Sequence, residues 1–193
     1  MKKVLLTEAY NYYPKNISPF DNRGLYLKSN EFKKLKETII NRHVFPEFKK
    51  DDLIRKLNKI INKEFKDFSL FNWNDRAYNI QVVLKEENLC LDVLCVNVSV
   101  LIPYFTIYVL RIEKLPGIIK LKCPPKLDDK LYVKYKKEVN LIEGLLIEDF
   151  DLKKISKNFQ NEIIEDIGFE DIDLGKFTFF NAFFLNDYNH SRF

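Results

Sequence analysis

The fold is decided by residues 77–100, which read AYNIQVVLKEENLCLDVLCVNVSV. From Tyr78 to Lys85 apolar and polar residues alternate, and this period of two predicts a β-strand with one face in water. The stretch from Leu89 to Val100 is β-branched and apolar on both faces, as in a central, sheltered strand. The polar residues 86–88 predict a hairpin turn between them. We therefore expect two antiparallel strands at the centre of a sheet.

Further short segments with strand-like composition extend this sheet into a meander of about five to seven strands. Pro103 cannot donate to a sheet ladder and predicts a bend before the next strand, and Leu115-Pro116-Gly117 predicts a turn. The antiparallel strands should occupy residues 77–139, with one more strand on each side of that region. The additional predicted strands are 3–9, 104–113, 118–122, an edge strand with Leu131, Val133 and Tyr135, and a buried final strand at 177–185.

Helical periodicity predicts two N-terminal helices within residues 28–68 and one C-terminal helix. The first begins after the cap pair Ser29-Asn30 and is closed by His43. The second spans residues 52–68, with apolar residues at three- and four-residue steps. The C-terminal helix spans 151–167 and ends at Gly168. Residues 1–27 should form a strand and a long loop, and residues 186–193 a polar tail.

The composition is typical of a globular protein. Of 193 residues, 46% are hydrophobic, 15% aromatic and 31% charged, with a net charge of +4. These values exclude a disordered chain and a disulfide-dense miniprotein. The length is typical of one domain, and no Gly/Ser-rich or Pro-rich linker divides it. The sequence predicts a single α+β domain over residues 1–193, with a mainly antiparallel sheet packed by helices.

The distribution of apolar residues and cysteines predicts a cytoplasmic protein without a membrane partner. The apolar run Val4–Leu6 is far shorter than the roughly 7 to 15 residues of a signal-peptide core. The longest apolar stretch, Leu89–Leu110, contains too many polar residues to span a membrane. Cys90, Cys95 and Cys123 are odd in number and form no C-x-x-C pair, which favours reduced thiols.

No motif in the sequence predicts catalytic, cofactor-binding or metal-binding residues. His43 closes a helix, and His190 lies in the polar tail, so neither indicates catalysis. The five glycines are too scattered for a phosphate-binding loop. A metal-dependent nuclease is an alternative. It needs carboxylates and a lysine at strand ends, and the sequence has these residue types without a diagnostic spacing: Glu86, Glu87, Asp92, Glu113 and Lys114. We therefore expect a non-enzymatic protein.

Charge is distributed unevenly along the chain. The stretch Lys28–Lys66 carries ten lysines and two arginines against six acidic residues, whereas Glu143–Asp173 carries ten acidic residues against three lysines. The basic residues of the second helix could follow a phosphate backbone, which is the alternative function: Arg55, Lys56, Lys59, Lys63 and Lys66. Abundant Lys, Asn, Ile and Phe indicate a low-GC genome, which weakens this argument because Lys is then a default surface residue.

The acidic residues near Gly168 and the N-terminal aromatic residues are the candidate partner-binding residues. Carboxylates in an exposed loop can engage a cationic partner, and tyrosines are enriched in protein interfaces. The predicted partner-binding residues are Glu165, Asp166, Glu170, Asp171, Asp173, Tyr10, Tyr12 and Tyr13, with Phe20 as a further aromatic candidate.

In general character, a small, motif-poor α+β chain of this kind is similar to the immunity proteins that bacteria keep against toxins. The likeness rests on no specific residue. It implies a protein that binds and neutralises a bacterial toxin or effector without a cofactor. Inhibitors of nucleases usually carry strong negative charge, so a net charge of +4 favours a toxin that is not a nuclease, or one met by the local acidic residues.

Overall fold

The computed structural model describes residues 1–42, 48–115, 118–121, 126–127 and 129–188, and it has an α+β fold. Its sheet has the order β1-β2-β3-β4-β5, and β6 and β7 both pair with β4. All pairs are antiparallel except β4 with β7, which is parallel. The strands are β1 (Lys66–Asp67), β2 (Ala77–Glu87), β3 (Cys90–Ser99), β4 (Tyr104–Leu115), β5 (Ile118–Leu121), β6 (Lys126–Leu127) and β7 (Lys153–Lys154).

Helices cover both faces of this sheet. The α-helices are α1 (Lys2–Tyr10), α2 (Arg23–Lys28), α3 (Asn30–Asn41), α4 (Lys50–Ile61), α5 (Asp129–Lys134), α6 (Lys136–Glu148), α7 (Lys157–Gln160) and α8 (Phe179–Phe183). One face, which we call the apolar face, packs against α4, α5 and α6. The opposite face, which we call the mixed face, packs against α1, α3 and α8. The α+β class and the mainly antiparallel sheet are confirmed.

The central strands follow the sequence pattern closely. Strands β2, β3, β4 and β5 correspond to the strands predicted to begin at residues 77, 89, 104 and 118. Strand β3 lies between β2 and β4 and is buried along most of its length. The turn of the first hairpin lies at residues 88–89, slightly later than predicted. The expected wet face of β2 is wrong, since Asn79 and Gln81 are both buried. Helices on the mixed face cover these polar side chains.

The predicted strand at 3–9 is instead the helix α1. Leu5 and Ala9 are one helical turn apart and both are fully buried, so the helix places them together against the mixed face. The short apolar run Val4–Leu6 resembles a strand, although the spacing of the buried residues is helical. The long loop that follows also contains the short helix α2.

The first N-terminal helix is confirmed as α3, since the Ser29 hydroxyl accepts a hydrogen bond from the Phe32 N–H at 3.1 Å and caps it. The second ends earlier than predicted. Helix α4 stops at Ile61, because Asn62 adopts a left-handed backbone with φ 56°. Phe65 still packs against the apolar face, but from the segment that leads into β1. Because Phe65 lies at helical spacing from Ile61, the sequence pattern extended the predicted helix beyond its true end.

The predicted edge strand around Leu131 to Tyr135 is wrong, and α6 occupies the end of the predicted strand region 77–139. These residues lie in α5 and at the start of α6. The buried residues there recur at steps of three and four, which is the period of a helix. They are Leu131, Tyr135, Val139, Ile142 and Leu146.

The predicted C-terminal helix over 151–167 and the predicted strand over 177–185 are also wrong. The first region contains β7, the four-residue α7 and irregular backbone, beginning at Asp151 with φ 48°. The second contains the buried helix α8, where Thr178 and Asn181 form a capping box. A short, fully apolar run has no periodicity that separates a buried strand from a buried helix. The turn at Pro116-Gly117 and residues 189–193 lie outside the described residues.

Candidate functional site

The acidic residues predicted to meet a partner lie in the acidic segment, residues 165–173, which packs against the N-terminal loop, residues 11–22. Hydrogen bonds tie the segment to this loop and to α2. They join the Asn16 N–H to the Asp166 carbonyl at 2.8 Å, the Ser18 hydroxyl to the Asp173 carboxylate at 3.1 Å, and the Tyr26 hydroxyl to the Gly168 carbonyl at 2.9 Å.

The close approach of these two segments depends on Gly168. A β-carbon at this position would lie 2.8 Å from the Ile172 carbonyl oxygen and 3.0 Å from Cδ of Pro19. The first distance is shorter than real β-carbon contacts show, and the second is so tight that Pro19 would have to shift. Glycine therefore lets the segment turn tightly toward its own Ile172 and approach the N-terminal loop closely.

Tyr10 meets the acidic segment despite its distance in sequence. Its hydroxyl donates to the two carboxylate oxygens of Asp166, at 2.9 and 3.1 Å. Partial burial and this hydrogen bond raise the pKa of Tyr10, so the hydroxyl stays protonated as the donor. The Lys15 ammonium lies 3.3 Å from the centroid of the ring. The structure thus brings together a predicted aromatic residue and a predicted acidic residue.

The five predicted acidic residues differ in what they contact. Glu165 and Asp171 are exposed, whereas Asp166, Glu170 and Asp173 are half-buried. Glu170 accepts hydrogen bonds from the side-chain amides of Asn74 and Asn186. The half-buried carboxylates hold the segment in place. Glu165 and Asp171 point their charge to the surface, where a partner could meet it.

Tyr12 and Tyr13 belong to the core, which corrects their prediction as direct partner contacts. The Tyr12 hydroxyl donates to the Leu101 carbonyl at 3.1 Å, and the Tyr13 hydroxyl donates to the Ala182 carbonyl at 2.7 Å. The Tyr13 ring also packs edge-on against Phe169. Burial raises the pKa of both hydroxyls. These tyrosines fasten the N-terminal loop to the mixed face.

The N-terminal loop and α2 instead present three other apolar side chains to solvent. Phe20 is 53% exposed, Leu25 is 64% exposed and Leu27 is 44% exposed. The Phe20 N–H donates to the Ser18 hydroxyl at 3.2 Å, and that hydroxyl donates to Asp173, so the loop beneath the ring is fixed. Sequence reasoning missed Leu25, because it assigned α2 to a loop. We call the residues on these joined segments the acidic–aromatic surface: Tyr10, Phe20, Leu25, Glu165, Asp166, Asp171 and Asp173.

The basic residues considered for nucleic acid lie on or just after α4. Arg55 pairs with Asp52, and Lys56 lies 2.9 Å from Asp149 and 3.5 Å from Asp52. Lys66 lies 3.8 Å from Glu64. Lys59 and Lys63 are exposed. Carboxylates therefore interrupt the positive charge along this helix face.

The described cysteines lie in the central strand β3. Cys95 is fully buried and its pKa is raised by that burial, while Cys90 is half-buried near the first hairpin. Both thiols are free. Within the residues that the structure describes, no group of three or more His, Cys, Asp and Glu side chains could hold a metal ion. Cys123, His43 and His190 lie outside the described residues.

Helix length and comparison with known proteins add little to this geometry. Across the described ranges, none of the helices has the length and apolar character needed to cross a membrane. No protein-family model matches the chain, and no curated protein or solved structure is significantly similar to it.

Proposed function

We propose that this chain is a non-catalytic protein-binding module whose partner docks on the acidic–aromatic surface. The observation that carries the proposal is Phe20, a phenylalanine 53% exposed on a loop that hydrogen bonds fix to the acidic segment. An exposed aromatic residue on a rigid support, surrounded by charged residues, has the anatomy of an interface with an apolar centre and a polar rim.

The charges at the rim indicate the chemistry of the partner. Glu165 and Asp171 are exposed on the acidic segment, and Asp173 accepts from Ser18 in the loop that carries Phe20, so a partner with a basic docking face is favoured. Such complementarity speeds association and selects among partners. A bacterial toxin or effector that is neutralised when this surface covers it is the partner class we favour, in line with the general likeness to immunity proteins. The free thiols support a cytoplasmic location.

The nucleic-acid alternative is less well supported. Asp52 and Asp149 take up part of the positive charge on α4, and a surface that follows a phosphate backbone needs cations that are not already paired. The face of α4 is therefore a weaker candidate for nucleic-acid binding than the acidic–aromatic surface is for protein binding.

A photo-crosslinking residue placed at Phe20 tests the proposal in the native host. We expect one protein to be crosslinked at position 20 and not at Ile147, a matched control that is 50% exposed on α6. Adding Glu165→Lys and Asp171→Lys should weaken the crosslink, because reversed charge slows association with a basic partner. With the purified partner, Phe20→Ala should raise Kd by about tenfold or more, as expected for an interface anchor.

Two results would contradict the proposal. Equal crosslinking of the same protein at positions 20 and 147 would mean that the partner does not bind preferentially at the acidic–aromatic surface. Tight, salt-dependent binding of a generic DNA duplex that Lys56→Glu, Lys59→Glu and Lys63→Glu abolish would favour the nucleic-acid alternative.

A further inference from the structure

A cavity of about 310 Å³ lies at the outer edge of β4. Its walls come from β4, from α5, from the segment around β7 and α7, and from Tyr188. The lining residues are Ile107, Tyr108, Val109, Leu127, Asp129, Tyr132, Lys154, Ser156, Lys157, Gln160 and Tyr188. Its volume is at the lower end of the range for small-molecule sites, roughly 300 to 1,000 Å³.

The cavity exists because two short strands pair with different ends of the same edge. Strand β7 pairs with β4 at Tyr104 and Phe105, and β6 pairs with it at Leu110 and Arg111. Among the described residues, the four positions between these pairs, 106–109, face no paired strand on this side. This stretch of β4 between β6 and β7 lines the cavity through Ile107, Tyr108 and Val109.

Most of the cavity wall is apolar or aromatic. The Tyr188 ring stacks on Phe180 with centroids 3.7 Å apart and meets Tyr108 edge-on at 5.3 Å. The Tyr188 hydroxyl donates to the side-chain carbonyl of Asn161 at 2.9 Å, which anchors the ring. Ile107 and Val109 supply aliphatic surface beside it. The wall can therefore contact the flat or aliphatic part of a ligand on several sides.

Two lysines line the cavity, and each pairs with a carboxylate. The Lys154 ammonium donates to the Tyr132 hydroxyl at 2.9 Å and pairs with Glu143. Burial opposes its charge, but these hydrogen bonds outweigh burial and raise the pKa of Lys154, so it stays protonated.

Lys157 lines the same cavity and pairs with Asp129, and both side chains of this second pair are largely exposed. Exposed pairs of this kind contribute little to the stability of a protein. Lys157 can therefore exchange Asp129 for another anion at little cost, whereas Lys154 is already fixed in place.

We propose that this cavity binds an amphipathic organic anion, with a carboxylate head at Lys157 and Lys154 and an apolar or aromatic body against Ile107, Val109 and Tyr188. Glu143 already neutralises Lys154 and Asp129 pairs with Lys157, so an anionic head keeps the charges balanced where it takes the place of Asp129 at Lys157. The inference is independent of the protein-binding function, because none of its residues belongs to the acidic–aromatic surface.

Three probes of equal chain length test the charge and the body of the ligand separately. Octanoate, octanol and octylamine are titrated into the full chain by calorimetry, and chemical shifts locate the bound probe. We expect octanoate to bind at this cavity, octanol to bind more weakly, and octylamine to bind least. Butyrate should also bind more weakly than octanoate, because it buries less apolar surface.

Single substitutions assign the head group to the lysines. Lys157→Gln should raise the Kd of octanoate by about fivefold, as expected for one exposed ion pair. Asp129→Asn should lower that Kd, because the carboxylate that competes for Lys157 is gone. Lys153→Gln is the matched control, since Lys153 is exposed and outside the lining. Unchanged melting temperatures confirm that the variants fold.

The inference is overturned if octanoate at millimolar concentration leaves the cavity residues unshifted. It is also overturned if octylamine binds as tightly as octanoate, or if Lys157→Gln and Lys153→Gln behave alike in folded protein. None of these results depends on the crosslinking experiment, so the two proposals can fail separately.

Discussion

The two faces of the sheet are both buried, but they are built differently. Along β2, β3 and β4 the apolar face consists mainly of aliphatic and aromatic side chains that pack against α4, α5 and α6. The mixed face carries a row of polar residues directly opposite one another, Asn79, Asn97 and Thr106. Gln81 lies beside this row and donates to Asn79 at 2.9 Å. The same strands therefore present a mainly apolar surface with one buried carboxylate, Asp92, on one side and a polar stripe on the other.

The two faces stabilise the fold in different ways. Apolar burial stabilises by about 25 cal/mol per Å², and both faces bury large apolar clusters, but the mixed face sets a row of buried polar side chains among them. A buried polar atom costs free energy unless it is hydrogen-bonded. On the mixed face, Asn97 donates to the Tyr108 hydroxyl at 3.0 Å, yet the Asn97 side-chain oxygen and the Thr106 hydroxyl have no partner among the described residues.

The largest effect is expected from Phe105→Ala on the apolar face. Phe105 is fully buried in β4, and truncation of a buried phenylalanine typically costs about 3–5 kcal/mol. Urea unfolding of the variant measures the loss. A loss below about 1 kcal/mol would mean that this face is not closely packed, and the contrast between the faces would disappear.

A smaller, pH-dependent effect is expected from Asp92, the acidic residue buried on the apolar face. Its carboxylate accepts from the Tyr135 hydroxyl at 2.7 Å, from Lys134 at 2.9 Å and from Arg111 at 2.7 and 2.9 Å. Burial favours the neutral acid, but the hydrogen bonds from these residues outweigh it and lower the pKa of Asp92.

Because the pKa of Asp92 is lower in the folded chain, its contribution is complete above the unfolded pKa of about 3.9 and is lost as pH falls through the folded pKa. Asp92→Asn should therefore cost roughly 2–3 kcal/mol at neutral pH and progressively less below about pH 4. Chemical unfolding across this range measures it. A cost that stays constant with pH would show that packing, and not charge, is lost.

The smallest effect should have the opposite sign. Thr106→Val keeps the shape of the side chain and removes a hydroxyl without a partner in the described chain, so we expect a gain of about 1 kcal/mol. The reverse exchange, Val109→Thr, places a hydroxyl on the apolar face and should cost about 1–3 kcal/mol. Thermal unfolding compares the pair. If Thr106→Val is destabilising, its hydroxyl has a partner, and the two faces are more alike.

The central sheet could be predicted from sequence because each strand carries its own signal. The segment from Leu89 to Val100 is β-branched, and the sequence on each side of it alternates. Helix α3 was equally predictable, since Ser29 is a strong helix cap. These elements form where local pattern and tertiary packing agree.

The regions after residue 128 could not be predicted in this way. Leu131 and Tyr135 suit the spacing of a strand or of a helix, and only their packing against the apolar face selects the helix. Ile155 and Ile164 are buried at helical spacing, but irregular backbone places them there. A period of three or four residues shows that side chains share a face and does not specify the backbone that carries them.

The candidate sites differ in the same way, since some could be predicted from local sequence and others could not. The acidic segment and Phe20 were visible in the sequence because charge and turn chemistry are local properties. Tyr12 and Tyr13 were misjudged, since their burial depends on Leu101 and Ala182, far along the chain. The cavity at β4 was invisible, because Tyr132 and Lys154 meet only through elements whose type was mispredicted.

The hydrogen bond between Tyr13 and the Ala182 carbonyl has a consequence for the order of folding during synthesis. It joins positions 169 residues apart, and at about 5–20 residues per second the ribosome makes the second partner many seconds after the first. The hairpin of β2 and β3 is complete long before α8 emerges. Until then the mixed face has no cover from α8, and its exposed strands are a surface that a nascent-chain chaperone would recognise.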